Sequence, residues 1–165
     1  MESTISATDA IRLNDTPALK VIIADGLDVN MWDIQGATLL ARAVQWNRSH
    51  AAQLLLDCGA DPNGFSSNGL TPMMRARTKE MAELLVQYGA TQDMPSRTSS
   101  RFPYSDETAL IVQTRAGNLE VVQFLVSIGA DIAHRASHGK SAIEIAEELS
   151  ERRNRDAIGD CLKRA

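Results

Sequence analysis

The sequence predicts an all-α helical solenoid with short β-turn or hairpin fingers, and three observations carry that expectation. An apolar phrase closed by glycine recurs: ALKVIIADGLDVN at 18–30, AAQLLLDCGADPN at 51–63, MAELLVQYGATQD at 81–93 and VVQFLVSIGADIA at 121–133. Its glycines, Gly26, Gly59, Gly89 and Gly129, lie 33, 30 and 40 residues apart, a period near that of stacked helical repeats. A second phrase recurs ahead of each copy or after it: GATLLARA at 36–43, GLTPMMRA at 69–76, ETALIVQT at 107–114 and GKSAIEIA at 139–146.

Each phrase reads as one helix. In the octapeptides a Thr or Ser at the start supplies an N-cap. Pro72 costs no hydrogen bond at a first helical position, and the small alanines a turn later let a neighbouring helix approach. In the glycine-closed phrases Ala51, Leu54 and Leu55, and again Val121, Val122 and Leu125, fall at helical spacing. The glycine then supplies the left-handed residue that ends the helix. A turn follows before the next octapeptide opens.

These phrases resemble the ankyrin repeat family, whose pattern runs D-x-x-G-x-T-P-L-H-x-A-A, a loop, then V-V-x-L-L-L-x-x-G-A-D-x-N. Residues 33–65 match it best, through Asp33, Gly36, Thr38, Leu40, Ala43, Leu54, Leu55, Leu56, Gly59, Ala60, Asp61 and Asn63. The resemblance implies a single domain over 1–165. It divides into an N-terminal cap repeat (1–32), a full repeat (33–65), a shortened repeat (66–95), a repeat with an extended finger (96–135) and a C-terminal cap repeat (136–165). The shortened repeat lacks three residues around Arg77–Lys79. The C-terminal cap is expected to face water through the pairs Glu148–Arg152 and Glu151–Arg155. The family's histidine is absent, its place taken by Ala41, Met74, Ile111 and Glu144, and Leu39 and Ala109 replace its proline. The array is therefore expected to be less stable than an idealised one.

Composition narrows the function. The 165 residues carry a net charge of −4, which disfavours nucleic acid, whose affinity comes mainly from Lys and Arg neutralising phosphates. It leaves a basic protein partner open. The basic residues Arg152, Arg153, Arg155, Lys163 and Arg164 alternate with Glu151, Asp156 and Asp160 and read as solvated surface. The N-terminus MESTISATDAIRL has no basic n-region or apolar h-region. No apolar stretch reaches the ~20 residues that span a bilayer. A cytoplasmic monomer is the expectation. Cys58 and Cys161 belong to no CxxC pair and are expected to be reduced, mostly buried thiols.

No motif for catalysis is legible. There is no Gly-rich phosphate loop, GxSxG or HExxH. Ser49-His50 opens a second helix without a visible orienting partner. His134 and His138, near Asp131, are placed on a turn and hairpin as exposed finger residues, not at the helical i,i+4 spacing that joins two imidazoles on a metal. No enzyme activity, cofactor or metal is predicted.

The resemblance implies that fingers and first helices line a concave face that grips another protein. The positions it designates are Trp32, Ile34, Gln35, Ala37, Gln45 and Trp46, then Phe65, Ser67, Asn68 and Leu70. Later in the chain come Glu107, Arg115, Arg135, Ser137, His138 and Lys140. Trp32 and Phe65 share a register 33 residues apart. As exposed aromatics they would be hot spots of about 2 kcal/mol or more; packing on neighbouring fingers is the alternative, as is packing of Trp46 under the next finger. A further candidate is the insertion ATQDMPSRTSSRFPYSDE, about seven residues longer than the family spacing, with Arg101, Phe102 and Tyr104. It is an elongated finger or a solvated loop. The functional expectation is a non-catalytic binder, either an inhibitor or immunity-type protein that blocks a partner enzyme or toxin, or an adaptor bridging two proteins. A ligand-binding protein using the insertion as a lid is the reading from another class.

Overall fold

The computed structural model describes residues 6–97, 106–149 and 155–165. Among them ten helices form five successive pairs: α1 (Ala7–Leu13) with α2 (Thr16–Ala24), α3 (Leu39–Gln45) with α4 (Ser49–Asp57), α5 (Pro72–Arg75) with α6 (Lys79–Gln87), α7 (Ala109–Ala116) with α8 (Leu119–Ser127), and α9 (Ala142–Glu148) with α10 (Arg155–Arg164). First helices pack in a row, α1 on α3, α3 on α5, α5 on α7 and α7 on α9. Second helices form the other row, α2 on α4, α6 on α8 and α8 on α10, with Gln53 of α4 bonded to Tyr88 at the end of α6. This is the all-α solenoid the sequence predicts. No helix of the described residues is long and apolar enough to cross a membrane.

Local chemistry sets the helix ends. The Thr38 hydroxyl accepts from the Ala41 amide, and Ser141 with Glu144 forms a reciprocal capping box. Thr71 and Thr108 make no such cap; both are buried, and the Thr108 hydroxyl has no partner among the described residues. The expected capping therefore holds at two of the four octapeptides. The core is one continuous cluster from Ala10 to Leu162, made mainly of Ala, Leu, Ile, Val and Met. Among the described residues Phe124 is the only aromatic ring in that cluster, and small and aliphatic side chains fill the rest. Cys58 is exposed and Cys161 half-buried, contrary to the expectation of mostly buried thiols. Cys58 falls one residue beyond α4, past the buried stripe of Ala51, Ala52, Leu55 and Leu56.

Between pairs the chain forms fingers closed by backbone bonds: Asp33 to Ala37 (2.8 Å), Ser66 to Leu70 (3.0 Å), Ser96 to Glu107 (2.8 Å) and Ala136 to Lys140 (3.2 Å). Only Trp32 and Thr38 form a β-bridge among the described residues. Successive fingers are stitched together. The Ser67 amide donates to the Gly36 carbonyl (2.7 Å), and the Arg97 amide to the Gly69 carbonyl (2.9 Å). A second line of stitches uses the last residue of the repeated phrase. The Asn30 side-chain oxygen accepts from the Asp61 amide (2.7 Å), that of Asn63 from the Thr91 amide (2.8 Å), and an Asp93 oxygen from the Asp131 amide (2.9 Å). The repeated phrase thus carries both a helix and its splice to the next unit.

The third pair is irregular. Its first helix has 4 residues where α3 has 7 and α7 has 8. A helix cut short leaves carbonyls without partners. Gln113, reaching from α7, donates to the Met74 and Ala76 carbonyls at 3.0 and 2.9 Å, and the Asn118 amide to the Arg77 carbonyl at 3.2 Å. The deletion around Arg77–Lys79 is patched from the neighbouring repeat.

Candidate binding face

Large exposed apolar side chains concentrate at the N-terminal end. Ile34 projects fully from its fingertip, Trp32 is 54% exposed and Met31 41%. With Ala7, Leu27 and Trp46 they line a groove of about 520 Å³ beside the first finger. Water meets this much apolar surface at a cost, which covering by a partner would remove.

Trp32 and Phe65 share a register but differ in surroundings. The Arg97 guanidinium sits 3.9 Å above the Phe65 ring, and Phe65 is half-buried. Arg97 and Ser67 occupy equivalent places, since each donates its amide to the preceding finger's glycine. Ser67 is too short to shield Trp32 as Arg97 shields Phe65. Of the two aromatics expected at fingertips, Phe65 is the one packed by a neighbouring finger. Trp46 is half-buried, with the Arg42 guanidinium 5.1 Å from its ring.

Behind the fingers runs a polar network. Arg42 Nε and Nη2 both donate to Asp33 Oδ2, at 2.7 and 2.6 Å. The other Asp33 oxygen accepts from the Gln35 and Ala37 amides at 2.9 and 3.0 Å. Gln45 Oε1 accepts from Arg42 and from Arg75, at 3.2 and 3.1 Å, and Asn68 Oδ1 accepts from Arg75 at 2.9 Å. Gln35, Gln45 and Asn68 thus help hold the face in shape. Burial pushes the Asp33 carboxyl up, but the Ala37 amide, Arg42 and the Gln35 amide outweigh it and hold its pKa below 3.8. A depressed folded-state pKa stabilises the fold above the unfolded value and loses that contribution as pH falls through the folded one. The melting temperature should therefore fall as pH drops below 3.8, the ordinary value for Asp33. Asp33→Asn should lower it at neutral pH and flatten that part of the acid limb in thermal melts.

Farther along, charged candidates are tied down within the chain. Glu107 is fully buried, its carboxylate held by Arg115 Nη1 at 2.7 Å and by His138 Nε2 at 3.0 Å. His138 is half-buried, not an exposed finger residue, because it packs onto that carboxylate. His134 Nε2 lies 2.5 Å from the Asp106 carbonyl oxygen and is likewise half-buried. Arg135 makes a two-pronged pair with Glu144, at 2.8 and 3.0 Å. The Arg135 guanidinium helps hold the Glu144 carboxyl at about 2, after the larger effect of the Ser141 amide. Lys163, read as solvated, pairs with Glu147 at 2.8 Å. Ser49 and His50 begin α4 and are exposed. Among the described residues no three His, Cys, Asp or Glu side chains gather as a metal site would need.

Ser96 pins the base of the insertion: its backbone pairs with Asp106 and Glu107, and its hydroxyl accepts from the Glu107 amide at 3.0 Å. Arg101, Phe102 and Tyr104 lie outside the described residues, as do Arg152, Arg153 and the Glu148–Arg152 and Glu151–Arg155 pairs. Glu148 itself bonds to Lys140 at 2.5 Å.

Paired helices stitched finger to finger, with an open apolar groove along one end, define a repeat-built interaction module. The chain belongs to the ankyrin repeat family. A model of three ankyrin repeat copies matches residues 7–97, and a single ankyrin repeat matches 105–137. Such repeats are protein–protein interaction modules. The chain is 26% identical to the ankyrin repeat protein FPV222 of fowlpox virus over 71% of its own length and 15% of that protein. It is 30% identical to cyclin-dependent kinase inhibitor 2A of Monodelphis domestica, over 66% of this chain and 61% of the inhibitor. It is 29% identical to mitochondrial disaggregase of Bos taurus, over 85% of this chain and 20% of that protein. The chain thus spans less than two thirds of each of these relatives.

Proposed function

We propose that this ankyrin array inhibits a partner protein by covering it with the concave face of fingers and first helices. Trp32, Ile34 and Trp46 anchor the contact, and chemistry remains with the partner. The observation that carries the reading is the cluster of Met31, Trp32 and Ile34, large apolar side chains exposed around one groove. Central aromatic and aliphatic anchors dominate binding energies. A role as inhibitor draws support from the likeness to a cyclin-dependent kinase inhibitor across 61% of that protein, so an enzyme of the cyclin-dependent kinase class is the first partner to test. Gln35, Gln45, Ser67 and Asn68 surround the anchors, and Arg115, Arg135 and His138 extend the face. Arg101, Phe102 and Tyr104 would join it from the insertion.

Affinity capture from the native cell, with Trp32→Ala/Ile34→Ala beside the natural protein, tests the assignment. The double variant should keep its helicity and melting temperature, because both side chains are exposed. It should lose the partner by about a hundredfold or more in Kd, and the natural protein should suppress that partner's activity. Equal capture by both proteins would place the contact elsewhere. Two partners held at once would make the protein an adaptor.

A further inference from the structure

The shortened α5 leaves an opening in the row of first helices. α5 stops at Arg75, whereas its neighbours continue to Gln45 and Ala116. In place of the missing turn is a notch of about 490 Å³, lined among others by Gln45, Arg75, Arg77, Gln113, Ala116 and Asn118. Among the described residues two arginines line it and no carboxylate does.

Arg75 has no counter-ion there among the described residues. Its two terminal nitrogens donate to amide oxygens, those of Gln45 (3.1 Å) and Asn68 (2.9 Å), and its Nε is buried without a partner. The carboxylate that acts on it, Asp33, already accepts from Arg42 and two backbone amides. Burial, and then the Arg42 charge, lower the Arg75 pKa from its ordinary value. A cation taken partly out of water with only neutral partners gains most from an anion brought to it. Arg77 is exposed beside it and forms no ion pair among the described residues.

We propose that this notch receives a carboxylate side chain from an acidic segment of the partner protein, held between Arg75 and Arg77. The proposal rests on the protein-binding reading and deepens it by giving the partner's chemistry. The notch lies near the apolar groove, since the consecutive residues Gln45 and Trp46 line one and the other. The partner thus presents an acidic side chain next to an apolar anchor. The overall charge of −4 points the other way, to a basic partner, but it is a sum over the surface, while recognition depends on the local field. A nucleic acid fits less well, because its affinity needs many phosphate contacts and this site offers two arginines.

The test is fluorescence anisotropy with labelled poly-glutamate, beside poly-glutamine, poly-lysine and a single-stranded oligonucleotide of matched charge. Variants Arg77→Gln and Ala116→Glu, both at exposed positions, remove a notch cation and add a notch carboxylate. Lys163→Gln, a distant cation paired with Glu147, is the control. Poly-glutamate should bind, and bind about tenfold more weakly to each notch variant, with Lys163→Gln unchanged and the neutral and basic peptides inert. Absence of poly-glutamate binding, or equal binding by all variants, would overturn the proposal. Tighter binding of the oligonucleotide would overturn it in favour of phosphate. If poly-glutamate fails while Trp32→Ala/Ile34→Ala still abolishes partner capture, the notch reading falls alone. If the notch variants weaken poly-glutamate but partner capture survives the Trp32/Ile34 change, the apolar-anchor reading falls instead.

Discussion

Gly69→Ala should destabilise the array by about 3 kcal/mol, against about 1–2 kcal/mol for Gly139→Ala. Both residues turn the chain at the same point of their fingers with φ of +77° and +82°, where an L side chain is strained. They differ in what a methyl group would meet. At Gly69 an added Cβ would lie 1.8 Å from the Arg97 carbonyl oxygen, while at Gly139 no described atom lies within 4 Å. The first overlap involves backbone, so relief requires the fingers to separate and the Arg97-to-Gly69 bond (2.9 Å) to break. That movement would also lift Arg97 from the Phe65 ring. Thermal melts should show the gap between the two variants, at about 2–4 °C per kcal/mol for a chain of this size. Equal losses would mean that fingers are not held in register by this contact.

Gln113→Met should cost about 2–3 kcal/mol despite similar volume. The residue is 3% exposed, and its side-chain amide donates to the Met74 and Ala76 carbonyls at the truncated end of α5. Methionine fills the space but removes the donor to the Met74 carbonyl and leaves the Ala76 carbonyl only the long bond from the Asn118 amide (3.5 Å), which is the costly case for buried polar groups. Because neighbouring units stabilise each other in a linear array, the loss should be greatest at the joint between the third and fourth helix pairs. Amide exchange should quicken in α5 and α7 before it does in α3. Uniform loosening along the chain would contradict this placement.

What was legible in the sequence was local. Apolar spacing in AAQLLLDCGADPN and the glycine after it determine a helix and its end within a dozen residues, and the recurrence of the phrase determines the stack. The register put Trp32 at a fingertip and the resemblance put Ile34 among the contact positions, and both are exposed. What escaped depends on neighbours about thirty residues away. Phe65 occupies the register of Trp32 but is covered, because position 97 is Arg where the preceding finger has Ser67. His138 looked like a free finger residue until Glu107, 31 residues earlier, came beneath it. The shortened repeat was visible as a deletion. That Gln113 would supply the missing donors, and that Arg75 would remain without a counter-ion, required the packed rows. The local sign that could have pointed there is Gln113, a polar residue directly after the apolar run ALIV.

The central claim is that a partner protein covers the finger and first-helix face at Trp32, Ile34 and Trp46. Hydrogen–deuterium exchange on the complex with the captured partner tests it most directly. Exchange should slow across residues 31–36 and around Gln45–Trp46, and stay unchanged along α4 and α6 of the second row. Protection confined to the second-helix row, with the first finger exchanging as fast as in the free protein, would contradict the account.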